Sequence, residues 1–198
     1  RQLQLLNHSM KIFLPVWGDK FINLLDKCLG ESLRWPENNR AIAGSQWLVT
    51  TDSQESLNKI NDVIERIDLT AKVRPFIEPR VKHNSDDVLL SSLKATIKLC
   101  LEDDEQLLMA TPDYIYSEGA ITAIKALGEE KGSVVSMAHM RVLPESLARL
   151  NAKPLNGKEL TSLGMDFPHP TWTDSEETAN PGRTFFGGIS WRYLDKEK

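Results

Sequence analysis

The chain has 198 residues, 24 of them basic and 28 acidic, a formal charge of −4, and 40% hydrophobic against 26% charged side chains. This is an ordinary globular composition, long enough for one domain with its own core. The acidic balance and the lack of any Lys/Arg-rich run leave no general basis for nucleic-acid binding, and no stretch approaches the ~18 apolar residues of a membrane span.

Residues 1–9, RQLQLLNHS, lack the apolar centre of a signal peptide and read as a leader or the tail of a preceding segment of a longer polypeptide. A single α/β domain is expected over 10–198. KIFLPVW (11–17) predicts a first strand, Gly18-Asp19 a tight turn with Asp19 as helix N-cap, and the next helix places Phe21, Leu24, Leu25, Cys28 and Leu29 on one face. LRWPENNRAIAG (33–44) holds Pro, Asn and Gly and predicts a connection. QWLVTT (46–51) predicts the second strand. Asp52 or Ser53 then caps a helix on which Leu57, Ile60, Val63, Ile64 and Ile67 recur at helical spacing. AKVRPFI (71–77) predicts a weaker third strand that Pro75 pushes to a sheet edge.

Asn84-Ser85-Asp86-Asp87 predicts the cap of a helix with Val88, Leu89, Leu93, Ile97 and Leu101 as its apolar positions. QLLMAT (106–111) predicts the fourth strand, which stops at Thr111-Pro112-Asp113, and a helix runs from near Gly119 to about Leu127. SVVSM (133–137) predicts a fifth strand leading to His139 and Arg141. Pro144 opens a short helix through Leu150, and 151–164 holds a turn and another short helix. Residues 165–183 lose periodicity, and TFFGGISWRY (184–193) looks strand-like. Strands alternating with helices of about 10–15 residues predict a Rossmann-like α/β fold, a mostly parallel sheet flanked by helices.

In such a sheet the loops after the strands share one edge, where ligands sit. That edge would gather Pro15, Trp17, Gly18 and Asp19, then Thr51, Asp52 and Ser53, then Asp113, then His139 and Arg141. Asp113, behind a proline at the end of an apolar strand, either ligates Mg²⁺ or Mn²⁺ or closes an Asx-turn. Trp17 either stacks on a base or sugar or belongs to the core. His169, between Pro168 and Pro170, is either a late metal ligand or part of an ordered surface loop. Asp19, Ser53 and Ser117 can equally be helix caps. Cys28 and Cys100 fall in apolar helical patterns as buried small hydrophobes, which fits a reducing, cytoplasmic setting. No dinucleotide fingerprint, Walker loop or nucleophile elbow occurs.

The order of these pieces resembles the GT-A-fold nucleotide-sugar glycosyltransferases. KIFLPVWGDKF looks like the nucleotide-binding opening, and WLVTTDSQESL (47–57) looks like the second strand with its terminal acid. Thr111-Pro112-Asp113 occupies the place of the Asp-X-Asp metal motif, and Gly119-Ala120-Ile121 that of the helix start after it. The first Asp of the motif is replaced by Thr111. The resemblance implies transfer of a sugar from a nucleotide-sugar donor to an unknown acceptor, with a divalent metal, Mn²⁺ or Mg²⁺, on Asp113 and His169. It implies donor contacts from Pro15, Trp17, Gly18, Asp52, Asp113 and Arg141, and a catalytic base among Asp166, Asp174, Glu176 and Glu177. Residues 10–150 would bind the donor, and 151–198 would form the acceptor side or lid. The alternative is a non-catalytic GT-A-like binding module of a larger protein. A nucleotidyltransferase is the third reading, disfavoured by the lack of a phosphate loop.

Overall fold

Among the described residues four short strands form one parallel sheet. β1 (Met10–Pro15), β2 (Gln46–Thr51), β3 (Lys72–Ile77) and β4 (Gln106–Met109) lie in the order β3-β2-β1-β4, with every neighbouring pair parallel. The computed structural model describes residues 10–77, 85–128, 135 and 142–169. The chain divides into two compact units, the first ending at Ser133 and the second beginning at Val134. The α/β architecture is therefore as expected, and β3 stands at the edge to which Pro75 directs it.

Side chains alternate between the two faces of a strand. Met10, Ile12 and Leu14 face the main core together with Trp47, Val49, Leu108 and Ala110. α1 (Gly18–Leu24), the π-helical segment Leu25–Gly30, α2 (Glu31–Arg34), α3 (Pro36–Ile42), α4 (Gln54–Ile67) and α6 (Ala120–Gly128) belong to this side. α4 buries Leu57, Ile60, Val63, Ile64 and Ile67 as its spacing predicts, and Ser53 caps it, accepting from Ser56 N–H at 3.1 Å. Burial of each such side chain contributes roughly 1.5–3 kcal/mol, against about 1 kcal/mol for a cap. Packing therefore holds the helix, and the cap sets where it starts. Lys11, Phe13, Leu48 and Thr50 are buried on the opposite face. α5 (Ser85–Asp103) packs there against β1, β2 and β4.

Several expectations are corrected. Residues 33–44 are helical, not a connection: Pro36 is the first residue of α3, where its missing N–H is harmless, and Asn38 and Ile42 are buried. Asp19 does not cap α1. Trp17 holds that position with no side-chain cap, and Asp19 pairs with Lys59 at 2.8 Å. Ile22 joins Leu25, Cys28 and Leu29 inside, and Phe21 is exposed. On α5 the inward row is Val88, Ser92, Thr96 and Cys100, whereas Ile97 is 42% and Leu101 78% exposed. Ser92 can be buried because its hydroxyl donates to its own helix, to Val88 O at 2.9 Å and Leu89 O at 3.0 Å.

In the second unit a 3-10 helix (Pro144–Ala152) precedes α7 (Gly157–Asp166). α7 starts at a capping box of Asn156 and Glu159. A hydrogen bond from Lys153, then one from the Asn156 N–H, holds the Glu159 carboxyl below the usual range. Val142 and Pro168 form an antiparallel bridge. The expected fifth strand apart from Val135, His139, Arg141, the strand-like 184–193, and the candidate bases Asp174, Glu176 and Glu177 lie outside the described residues. Among the described residues no helix is long and apolar enough to cross a membrane.

Candidate functional site

The strand order reverses direction between β1 and β4, since β2 and β3 build outward on one side of β1 and β4 lies on the other. In open parallel sheets the crevice outside the carboxyl ends at this switch point is where ligands bind. Sheet hydrogen bonds continue just past the strands: Val16 N–H donates to Thr50 O and Ala110 N–H to Phe13 O, both at 2.9 Å. Segments 15–18, 51–53 and 111–113 therefore leave the sheet side by side. Pro15, Trp17 and Asp52 are half-buried there. Gly18 turns the chain from β1 into α1 at a φ of +73°. Nothing lies within 4 Å of where a Cβ would stand, so its backbone conformation rather than crowding requires glycine.

Asp113 sits in a turn that its own sequence builds. Tyr114 N–H donates to Thr111 O at 3.1 Å, closing a four-residue turn with Pro112 at the second position, which the fixed φ of proline favours. Thr111 Oγ1 donates to Asp113 Oδ1 at 2.9 Å. Thr111 thus orients the Asp113 carboxylate. Asp113 is exposed, whereas Tyr116 two residues past the turn is buried against the main core. Tyr114 meets Tyr116 edge to face with ring centroids 6.4 Å apart. The Tyr116 hydroxyl has no hydrogen-bond partner among the described residues. Burial, then the neighbouring Tyr114, pushes that phenol well above its ordinary range.

The Asp113 charge also reaches Cys28 in the π segment. Burial first, and Asp113 second, push that thiol up to about 11, with Lys27 opposing. The Cys100 thiol is raised as well, chiefly by burial. Burial pulls the Lys11 ammonium down, and its bonds to Asp103 and Glu105 more than reverse this, for a net rise. All these groups hold their protons to higher pH folded than unfolded. Their stabilisation is complete below the unfolded-state values, near pH 9 for the thiols, and is lost as pH rises through the folded ones. Denaturant titrations should show stability falling between pH 9 and 11, with a shallower fall in Cys28→Ala. A flat profile over that window would refute the assignment.

The donors at the turn, a carboxylate and a hydroxyl, are hard oxygens. Among the described residues no three His, Cys, Asp or Glu side chains converge as metal ligands. This set fits Mg²⁺ or Mn²⁺ held by one carboxylate with phosphate and water completing the shell, the habit of such ions in phosphate sites. His169 and Asp166 belong to the second unit. His169 is half-buried just past Pro168. Asp166 ends α7 and pairs with Arg149 at 3.6 Å, both side chains more than half exposed. A separate groove between α1 and α4 carries Asp19, Asp26, Lys59 and Arg66, whose charges pair with one another across it. Two residues with no role expected from the sequence join the far end of the Asp113 segment to α3: Asn38 donates to Ser117 O, and Glu118 accepts from the Glu37 N–H. The Pro36 helix start and the Glu118-Gly119 pair before α6 were the available signals.

No protein-family model matches the chain, and no curated protein matches it. Among solved structures, a crystal structure of residues 1–349 of TarS from S. aureus matches at 14% identity with a TM-score of 0.42, covering 70% of this chain and 39% of that one. The chain spans about two fifths of the length of that structure.

Proposed function

We propose that the protein transfers a sugar from a nucleotide-sugar donor to an acceptor, with the donor in the crevice at the tips of β1, β2 and β4. One observation carries this reading: the Asp113 turn stands at the switch point of the parallel sheet, with the carboxylate exposed and oriented by Thr111. Asp113 would hold Mg²⁺ or Mn²⁺, with His169 as a candidate further ligand. A divalent ion bound there supplies neutralisation of the charge that develops on a diphosphate leaving group. Trp17 offers a flat face for the base or sugar, Asp52 an acceptor for the base, and the Pro15-to-Gly18 turn a close backbone approach. Arg141 is the proposed phosphate contact. Asp166, Asp174 or Glu176 would deprotonate the acceptor if the reaction inverts.

The single carboxylate at the motif position favours a second reading, a binding module without catalysis. Thermal shift with UDP- and GDP-sugars, with and without Mn²⁺, separates the two. A donor at about 100 times its Kd stabilises the fold by about 2.7 kcal/mol, a rise of roughly 5–10 °C for a chain this size. A Mn²⁺-dependent rise that disappears in Asp113→Ala supports the transferase. A metal-independent rise unaffected by Asp113→Ala supports the module, and no rise with any nucleotide sinks the transferase.

A further inference from the structure

The segment 111–119 leaves β4 at one end and enters α6 at the other. Its far end is locked to α3 by two side chains that the helices exchange. Asn38 is completely buried in α3. Its Nδ2 donates to Ser32 O and to Ser117 O, both at 3.0 Å, and its Oδ1 accepts from Ile121 N–H at 3.2 Å. In return Glu118 Oε1 accepts from the Glu37 N–H at 3.0 Å. Ile121 and Glu37 are each the second residue of their helix, so both N–H groups lack intrahelical partners. Each helix start is thus capped from the other side of the joint. Gly119 makes the close approach possible: its φ is +80°, and a Cβ would stand 2.6 Å from Glu37 Oε2. Thr122 Oγ1 to Glu37 O at 3.5 Å and Lys125 Nζ to Ala41 O at 3.4 Å extend the seam.

We infer that Asn38 and Glu118 are positioning residues for Asp113, an inference that rests on the reading of Asp113 as the residue for the donor's diphosphate and its cation. β4 fixes where the segment begins, and the reciprocal cap fixes where it ends. The carboxylate between them is held in place without either residue touching a ligand. A buried amide with both its donor and its acceptor sides engaged is sensitive to change, because losing one partner leaves another polar group unsatisfied. Asn38→Asp keeps the acceptor for Ile121 N–H but turns carboxylate oxygen toward the carbonyls of Ser32 and Ser117. Glu118 is half-buried, so Glu118→Ala is the variant that leaves the core intact, and Glu118→Gln retains the acceptor.

The test combines amide hydrogen exchange with a titration of Mn²⁺ and UDP. In Asn38→Asp and Glu118→Ala, exchange at Tyr114 and Ala120 should accelerate about tenfold, the scale of one net hydrogen bond, while β1, β2 and α4 exchange as in wild type. The Kd for UDP in saturating Mn²⁺ should rise about tenfold in both variants, and Glu118→Gln should restore both readouts. Unchanged exchange in the two variants overturns the clamp. Faster exchange with unchanged UDP affinity overturns the positioning role alone. Wild-type protein that binds no Mn²⁺–UDP overturns the reading of Asp113 itself, and the positioning role with it.

Discussion

Trp47→Ala is expected to lower the unfolding free energy by about 3–5 kcal/mol, the range for deleting a large aromatic from a packed core. Trp47 lies in β2, one of the two inner strands, between Ile12 of β1 and Val73 of β3 in register. It is completely buried, in the cluster shared by Leu14, Val49 and the inner faces of α4 and α6. The chain around it is held on both sides by strand pairing, so the void cannot close by a local shift. The indole N–H has no hydrogen-bond partner among the described residues. An unsatisfied buried donor is already unfavourable in the native state. Trp47→Phe removes that donor and leaves a smaller space, so it should lose less than half as much as Trp47→Ala. Urea denaturation of the three proteins decides this. Equal losses in the two variants would mean that ring area is not what Trp47 contributes.

Lys11 should give the second large effect. It lies in β1 on the face opposite Trp47, and its side chain is 3% exposed. Its ammonium reaches Asp103 Oδ2 at 2.7 Å and also Glu105 Oε2, tying the end of α5 and the start of β4 to the centre of the sheet. Removing one partner of a buried pair leaves the other charge uncompensated, at about 3–5 kcal/mol. Asp103 is 55% exposed and can turn to water, whereas Glu105 is 21% exposed and cannot do so freely. The loss in Lys11→Ala should therefore sit near the lower end of that range and come mainly through Glu105 and the lost stem. Lys11→Met keeps the stem packing and should lose less. Lys11→Met combined with Glu105→Gln should recover part of the remainder, since the less exposed of the two carboxylates is then neutral. Additive losses in that double-mutant cycle would show that Glu105 is not the partner that matters.

Much of the framework was legible in the chain. The strands are short apolar runs bounded by turn residues, and Pro75, which cannot donate, marks the edge strand. α4 carries five apolar residues at helical spacing, and all five are buried. Asp113 could be placed at a strand tip because Pro112 ends an apolar run. Two of the errors share one cause: polar residues are expected at the surface and prolines in loops. α3 was missed because Pro36 reads as a breaker while it acts as a first helical residue. The inward row of α5 was missed because Ser92 meets its own hydrogen-bonding needs against Val88 and Leu89, so polarity no longer predicts exposure. Asn38 was missed because the partners that define its role are 79 and 83 residues away along the chain.

By itself, then, the sequence determined the alternating α/β architecture, the edge placement of β3 and the presence of a lone carboxylate after the fourth strand. Those properties depend on local periodicity and backbone chemistry, which neighbouring residues express without help. Tertiary structure alone decided that β4 pairs with β1 rather than β3, which creates the switch point, and that Thr111 orients Asp113. It also decided that α3 and α6 cap one another. Pairing order and reciprocal capping join groups far apart in the chain, and their energy exists only once the fold has brought them together.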